Sequence, residues 1–334
     1  MKISFNSTDL KNIFLTLSEK LDSKIFISGF EYKIDVPESA GDGEIIGFDF
    51  GGGFNMIRIK SDLFKMINLE FREEGYHILR YLFMANGNLI HSLSPSFRYR
   101  LLSYTSSIIA RQSSQLSQDI ILPAQNRCEV VMLQINTEKY SRNVNLESLN
   151  VPHELANVFL NKSTSDVFLY QSSYSVNIFE TLKQLNNITS EGLVKRFYLE
   201  SKALELLWMQ TEHYKIEQLY GYDRALLRKR DIELILQAKD FIRNNIHENL
   251  TVGYLARTLG TNETKLKTGF VKLFGNTFGE VLRNERLVKA KILLEEGKMS
   301  VKEVAYNVGY TSRSVFARRF REKFGILPSL FQNN

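Results

Sequence analysis

The hydrophobic positions of this 334-residue chain follow two periods, and the change from one to the other divides it. Residues 1 to about 25 place Leu10, Phe14, Leu17 and Leu21 at helical spacing and predict one helix. From Lys24 to about Ile135 the period shortens. Runs such as KIFISGFEYKI, NMIRIK, INLEFR, YHILRYLFM and CEVVMLQI are rich in Ile, Phe, Tyr and Val, with Gly, Asn, Asp, Ser or Pro between them. Short strands at this spacing predict a β-barrel or jelly roll of cupin-like type. After Pro152 the helical period returns in HELANVFLN and, after Ser175, in NIFETLKQLNN. A long amphipathic helix is predicted from about Glu191 to Glu217, carrying Leu193, Phe197, Leu199, Ala203, Leu206 and Tyr214, with Gly221 ending the segment. From Asp223 every segment reads as helix, starting with RDIELILQAKDFIRNNI, whose Ile232, Ile235, Ala238 and Ile242 share one face. The expected division is a β-rich domain over 1–150, a helical linker and dimerisation region over 151–222, and an all-α domain over 223–334.

Within the all-α part, residues 300–325 read as helix, tight turn, helix. Ser300 and Glu303 have the spacing of a capping box, in which each side chain satisfies the other residue's free N–H. Val304, Ala305 and Val308 form a buried stripe. Gly309 stops the helix, because only glycine takes a positive φ there without steric cost. Thr311 or Ser312 caps the second helix, which is expected to bury Val315, Phe316 and Phe320. Residues 250–275 repeat this pattern. Leu255, Ala256, Leu259 and Gly260 parallel Val304, Ala305, Val308 and Gly309; Asn262 parallels Ser312, Leu266 and Phe270 parallel Phe316 and Phe320, and Gly275 parallels Gly325. Between the units, about Phe278 to Glu296 forms one helix closed by Gly297, whose Leu282, Leu287, Ala290 and Leu294 can pack on both.

Charge sharpens this picture. The whole chain has 43 Lys+Arg and 37 Asp+Glu. Residues 223–334 hold 21 of the basic and 12 of the acidic ones, a net of +9, which leaves 22 and 25, a net of −3, for residues 1–222. The whole basic excess lies with the repeated units, the footprint of a nucleic-acid surface confined to one domain. A short capped helix with an apolar back and a basic front is shaped to enter the major groove of double-stranded DNA. The outward positions divide by chemistry. Thr264, Lys267, Thr268, Arg313, Ser314 and Arg318 are candidates for base edges, while Lys265, Lys272, Arg319 and Arg321 are candidates for phosphates.

Other chemistry finds little support. Gly51-Gly52-Gly53 lacks the Gly-Lys-Ser/Thr ending of a phosphate loop and is read as a hairpin turn. His77 and His91 stand alone, without the His-x-His pair that cupin barrels use for metal, so no metal site is expected. No nucleophile, base and orienting group come together, and neither an enzyme nor a cofactor is expected. The one cysteine, Cys128, is read as a buried thiol in a reducing cytoplasm. No signal peptide and no apolar run of about 18 residues is found, so no membrane partner is expected.

The phrases LARTLGTNETKLKTGFVKLFG, ERLVKAKILLEEG and VKEVAYNVGYTSRSVFARRFREKFGILPSLF resemble the DNA-binding domain of AraC/XylS-type transcription regulators. The stretch ETKLKTGFVKLFG is most similar to the siderophore-responsive, PchR-like subgroup. The resemblance implies a bacterial, usually dimeric promoter-binding protein, with RNA polymerase as a further candidate partner. Its N-terminal β domain would bind a small-molecule effector, with a siderophore or iron chelate suggested by the subgroup. Thr268, where many members carry Arg, and the helix-loosening Gly269 after it predict a looser first reader. Two alternatives are a constitutive or architectural DNA binder without ligand and a β-barrel enzyme with an accessory DNA-binding module.

Overall fold

The computed structural model of the chain describes residues 1–72, 78–94, 97–111, 117–142, 153–160, 167–173, 175–186, 188–220, 229–274 and 276–331. His77, Gly221, Gly275 and both expected inner boundaries, 150/151 and 222/223, lie outside them. The chain forms two compact units, Met1–Leu226 and Leu227–Asn334.

In chain order, the first unit begins with strand β1 (Lys2–Phe5), helix α1 (Leu10–Leu21) and strands β2 (Ile25–Ser28), β3 (Glu31–Asp35), β4 (Gly41–Gly51), β5 (Phe54–Leu63) and β6 (Ile67–Phe71). Next come β7 (Ile78–Asn86), β8 (Asn88–Ser94), β9 (Phe97–Leu102), β10 (Thr105–Arg111), β11 (Gln118–Leu122) and β12 (Cys128–Asn136). The remainder is α2 (Thr137–Ser141), α3 (His153–Phe159), β13 (Val167–Ser173), α4 (Val176–Gln184) and α5 (Gly192–Tyr220). The strands form two sheets, ordered β1-β6-β11-β8-β9 and β13-β10-β7-β12-β5-β4-β3-β2. The expected jelly roll is thus two facing sheets rather than one closed barrel.

The central strands of the larger sheet are buried on both faces, so β7 and β12 read as continuous apolar runs. Their alternate residues serve two cores. Leu82, Met84, Val130 and Met132 pack towards the smaller sheet and α1, with Ile3, Leu69, Leu89 and Phe14. Tyr81, Phe83, Val131 and Leu133 pack on the opposite face, against Leu155, Leu182, Leu199, Ala203 and Leu206 of α3, α4 and α5. Each fully buried side chain of this size contributes about 1.5–3 kcal/mol gross, which holds α5 firmly on the sheet. Buried polar contacts fix its register: Ser106 Oγ donates to Gln210 Oε1 (2.7 Å), and Gln210 Nε2 donates to Ser172 Oγ (3.3 Å). Cys128 lies in the inner core, where burial pushes its thiol up to about 12.

Two elements depart from expectation. Residues 2–5 form a strand rather than the start of a helix, pairing in parallel with β6, and α1 begins only at Leu10 after its Asp9 cap. The helical stretch after Pro152 is broken by β13, which pairs antiparallel with β10 at the sheet edge. Among the described residues no helix is long and apolar enough to cross a membrane.

Candidate nucleic-acid interface

The second unit contains α6 (Lys229–Asn244), α7 (Val252–Thr258), α8 (Glu263–Phe274), α9 (Phe278–Glu295), α10 (Val301–Asn307), α11 (Arg313–Phe324) and α12 (Pro328–Phe331). Helices α7 and α8 form the first helix-turn-helix, α10 and α11 the second. Local chemistry sets their ends. Thr251 caps α7 and accepts from Tyr254 N (3.1 Å). Asn262 Oδ1 accepts from Lys265 N (2.8 Å) at the start of α8. Ser300 and Glu303 form a complete capping box on α10, and Ser312 caps α11. The two turns match: Gly260 and Gly309 have φ of +63° and +85°, and the next residues, Thr261 and Tyr310, donate backward to Ala256 O and Ala305 O, each at 2.9 Å.

Helix α9 joins the pair. Its own capping box, Thr277 with Glu280, starts it. It contacts α8, α10 and α11. Leu287, Ala290, Leu293 and Leu294 share a core with Val304, Val308, Phe316 and Phe320. Arg286 adds a polar joint whose pattern in sequence is only that of an ordinary helix surface cation. Its Nε donates to Ile246 O (2.8 Å) and its Nη2 to Glu248 O (2.7 Å) in the turn before α7. Its guanidinium lies 6.0 Å from the centre of the Tyr310 ring.

The predicted contact residues lie on the outer sides of α8 and α11. Thr264, Lys265, Lys267, Thr268 and Lys272 are exposed on α8, and Arg313, Ser314, Arg318 and Arg321 on α11, with Arg319 partly so. Several cations are already engaged: Lys265 Nζ with Asp231 of α6 (2.5 Å), Lys267 with Glu263 (2.9 Å), and Arg319 with Glu322 (2.8 Å). Arg318 Nε lies 3.9 Å from Glu322. Exposed pairs of this kind are worth about 0–1 kcal/mol and exchange readily for phosphate. Arg313 and Arg321 carry no ion pair among the described residues.

Two expectations on these helices are corrected. Val315 is 39 % exposed, whereas Phe316 and Phe320 are fully buried. One residue of helix is 100° of rotation, which turns Val315 out of the line of the two phenylalanines. It walls a recess of about 210 Å³ with Arg283, Arg286, Tyr310 and Arg319. Gly269 does not loosen α8. It is buried, and a Cβ there would come within 2.4 Å of Ile235 Cδ1. The missing side chain is what lets α8 lie against α6.

The comparisons fit this architecture. A helix-turn-helix domain family matches residues 255–334, and the family described as regulatory protein PchR N-terminal domain matches residues 58–219. The xylose operon regulatory protein of Haemophilus influenzae is 30% identical over 101 residues, 30% of this chain and 26% of that protein. The probable transcription factor PqrA of Proteus vulgaris is 31% identical over 88 residues, 26% of this chain and 72% of that protein. The crystal structure of a DNA-binding transcriptional dual regulator from Escherichia coli K-12 is 27% identical, with a TM-score of 0.29, covering 30% of this chain and 95% of that one. The chain thus spans about a quarter of the Haemophilus regulator's length but nearly three quarters of the Proteus factor's. With the helix-turn-helix family match over residues 255–334 and the likeness to most of the Proteus factor, the chain belongs to the AraC/XylS family of transcription regulators.

Proposed function

We propose that this chain is a sequence-specific, promoter-binding transcription regulator whose first unit senses a small-molecule effector. The observation that carries the DNA-binding half is α9, one helix capped at its start and packed on both helix-turn-helix units, which holds two outward polar helices in a fixed relation. DNA presents its major groove again every 34–36 Å or so, and two readers in one monomer suit successive segments on one side of the duplex. In this reading Arg313, Ser314 and Arg318, with Thr264, Lys267 and Thr268, meet base edges. Lys265, Lys272, Arg319 and Arg321 meet phosphates, joined by Arg283 at the recess beside α11. Footprinting on an operator selected from random sequence tests it: two protected major-groove segments about one turn apart are expected, and a single one would contradict the paired reading.

The sensing half rests on the match of residues 58–219 to the PchR N-terminal domain family. A siderophore or iron chelate is the first effector class to try. A ferric siderophore panel on the full chain should raise the unfolding midpoint of one unit and change operator affinity, because a ligand selective for one state shifts both. We assign self-association to the outer face of α5. Its inner face is buried on the sheet, yet Val194, Phe197, Leu204 and Trp208 stay 40 to 65 % exposed along one stripe. A second copy of the same helix would cover it.

A further inference from the structure

We infer that Arg286 is a positioning residue that fixes the relation between the two helix-turn-helix units, and through it the spacing of the two half-sites the protein selects. This rests on the paired reading of α8 and α11 and names the side chain that sets their distance and angle.

Helix α9 meets the two units by different means. With the second it shares an apolar core, in which Leu287, Ala290 and Leu294 pack with Val304, Val308 and Phe316. Apolar burial is strong but non-directional, and such a core can repack when its neighbours tilt. Towards the first unit, Phe278 lies edge-on to the Phe270 ring of α8 (5.7 Å), and Glu285 accepts from Arg243 Nε of α6 (3.0 Å). One ring contact leaves rotation about it open. The Arg243 side chain is 47 % exposed, so that ion pair restrains little.

Arg286 is directional, and it touches both units. Its Nε and Nη2 share one edge of the planar guanidinium and donate to Ile246 O (2.8 Å) and Glu248 O (2.7 Å). Two bonds from one rigid plane fix orientation as well as distance. These carbonyls lie in the turn that leads from α6 into α7 of the first unit. The turn between α10 and α11 of the second unit arrives at the same place. A Cβ on Gly309 would stand 2.6 Å from Ile246 O and 2.7 Å from Arg286 Nη2. Gly309, with φ of +85°, thus lets the two turns close around one guanidinium, beside the Tyr310 ring (6.0 Å).

A small movement at this joint is large at the DNA. Two readers one helical turn apart are separated by about 34 Å and about 10 base pairs, or about 3.4 Å for each pair. A tilt of roughly 6° over that distance displaces one reader by one base pair. Selecting a single spacing therefore requires the joint to hold its angle within a few degrees, which a two-bond planar fork does and apolar contact alone does not.

The test uses the full-length chain and an operator selected from random sequence on the wild type, with the segment between the two half-sites lengthened or shortened by one base pair. The wild type should lose roughly tenfold or more in affinity at either altered spacing. Arg286→Ala should bind the three spacings within about threefold of one another. Arg286→Lys keeps the charge and the stem but not the fork, so it should broaden the profile as well, and it serves where the alanine variant does not fold. A profile as narrow as the wild type's in a folded variant overturns the role, even if affinity falls at every spacing, because that uniform loss is the mark of lowered stability. A salt slope reduced by about 0.9 at every spacing would make Arg286 a phosphate contact and also overturns it. Two protected segments with the same spacing profile in wild type and variants remove the positioning role and leave the paired reading intact. One protected segment in the wild type removes both.

Discussion

The repeated turn provides a matched experiment. Gly260 and Gly309 occupy the same position in the two helix-turn-helix units, both with positive φ. Their surroundings differ. A Cβ on Gly260 would meet nothing within 4 Å, whereas one on Gly309 would stand 2.6 Å from Ile246 O and 2.7 Å from Arg286 Nη2. Gly260→Ala therefore carries the left-handed backbone cost alone, about 1 kcal/mol. Gly309→Ala carries the same cost and also a clash with a backbone carbonyl that cannot rotate away, about 1–3 kcal/mol as overpacking. It further displaces the guanidinium that bonds Ile246 O and Glu248 O, and a hydrogen bond to a charged group is worth about 1.5–3 kcal/mol. These effects overlap, so the expected total is about 3–5 kcal/mol, several times that of Gly260→Ala. Calorimetry on the full chain reads it, at the transition that operator DNA raises. The shift should be about 4–8 °C for Gly260→Ala and more than twice that for Gly309→Ala. Equal shifts would show that Arg286 and the Ile246 carbonyl are not a rigid joint. Arg286→Ala is the control: in that background the gap between the two glycine variants should narrow.

Other perturbations address the surface, the core and assembly. Arg318→Ala should cost about 1–3 kcal/mol at one base position and relax preference there, measured by binding to a set of single-base operator variants. Lys272→Ala should weaken binding to all sequences alike and reduce the salt slope by about 0.9; a base-selective defect would rule out a phosphate contact. His91 is fully buried, both ring nitrogens lack partners among the described residues, and burial aided by Arg80 pushes it down to about 3. Its folded value lies below the unfolded one of about 6.5, so its share of stability is complete above that pH and is lost on acidification towards 3. His91→Phe should flatten that stretch of the stability–pH curve for the first unit. Trp208→Glu with Phe197→Glu should yield monomers in sedimentation without lowering the unfolding midpoint; dimers unchanged would remove α5 from the interface.

What was legible in the sequence was set by near neighbours. A Ser-x-x-Glu box, an Asn or Ser cap and a glycine at a helix end act over three or four residues, and Ser300, Asn262, Ser312 and Gly309 lie where their spacing placed them. The buried stripe of α6, Ile232, Ile235, Ala238 and Ile242, is likewise a matter of period. The features that escaped depend on distant partners. Strand β1 exists because β6, more than sixty residues away, receives it. Strand β13 is recruited by β10 from within a helical stretch. Arg286 reads as one more helix cation until the carbonyls of Ile246 and Glu248 are brought to it. Gly269 was misread for the same reason: the cost of a mid-helix glycine is local, while its benefit, the approach of Ile235, is tertiary.

That reversal changes how the two readers compare. A loose α8 would have made the first unit the permissive half through mobility. Instead α8 is capped by Asn262 and pressed on α6 through Gly269. Both helices are firmly held, so any difference in stringency must come from their side chains. On α8 the outward groups are Thr264, Thr268 and a Lys267 already paired with Glu263. On α11 they include Arg313, without an ion pair among the described residues, and Arg318, 3.9 Å from Glu322, both able to form two hydrogen bonds with one guanine. Exchanging Thr268 for arginine on a backbone this rigid should therefore sharpen selectivity in the first half-site without altering the second. Had mobility set the difference, the same exchange would raise affinity for all sequences alike.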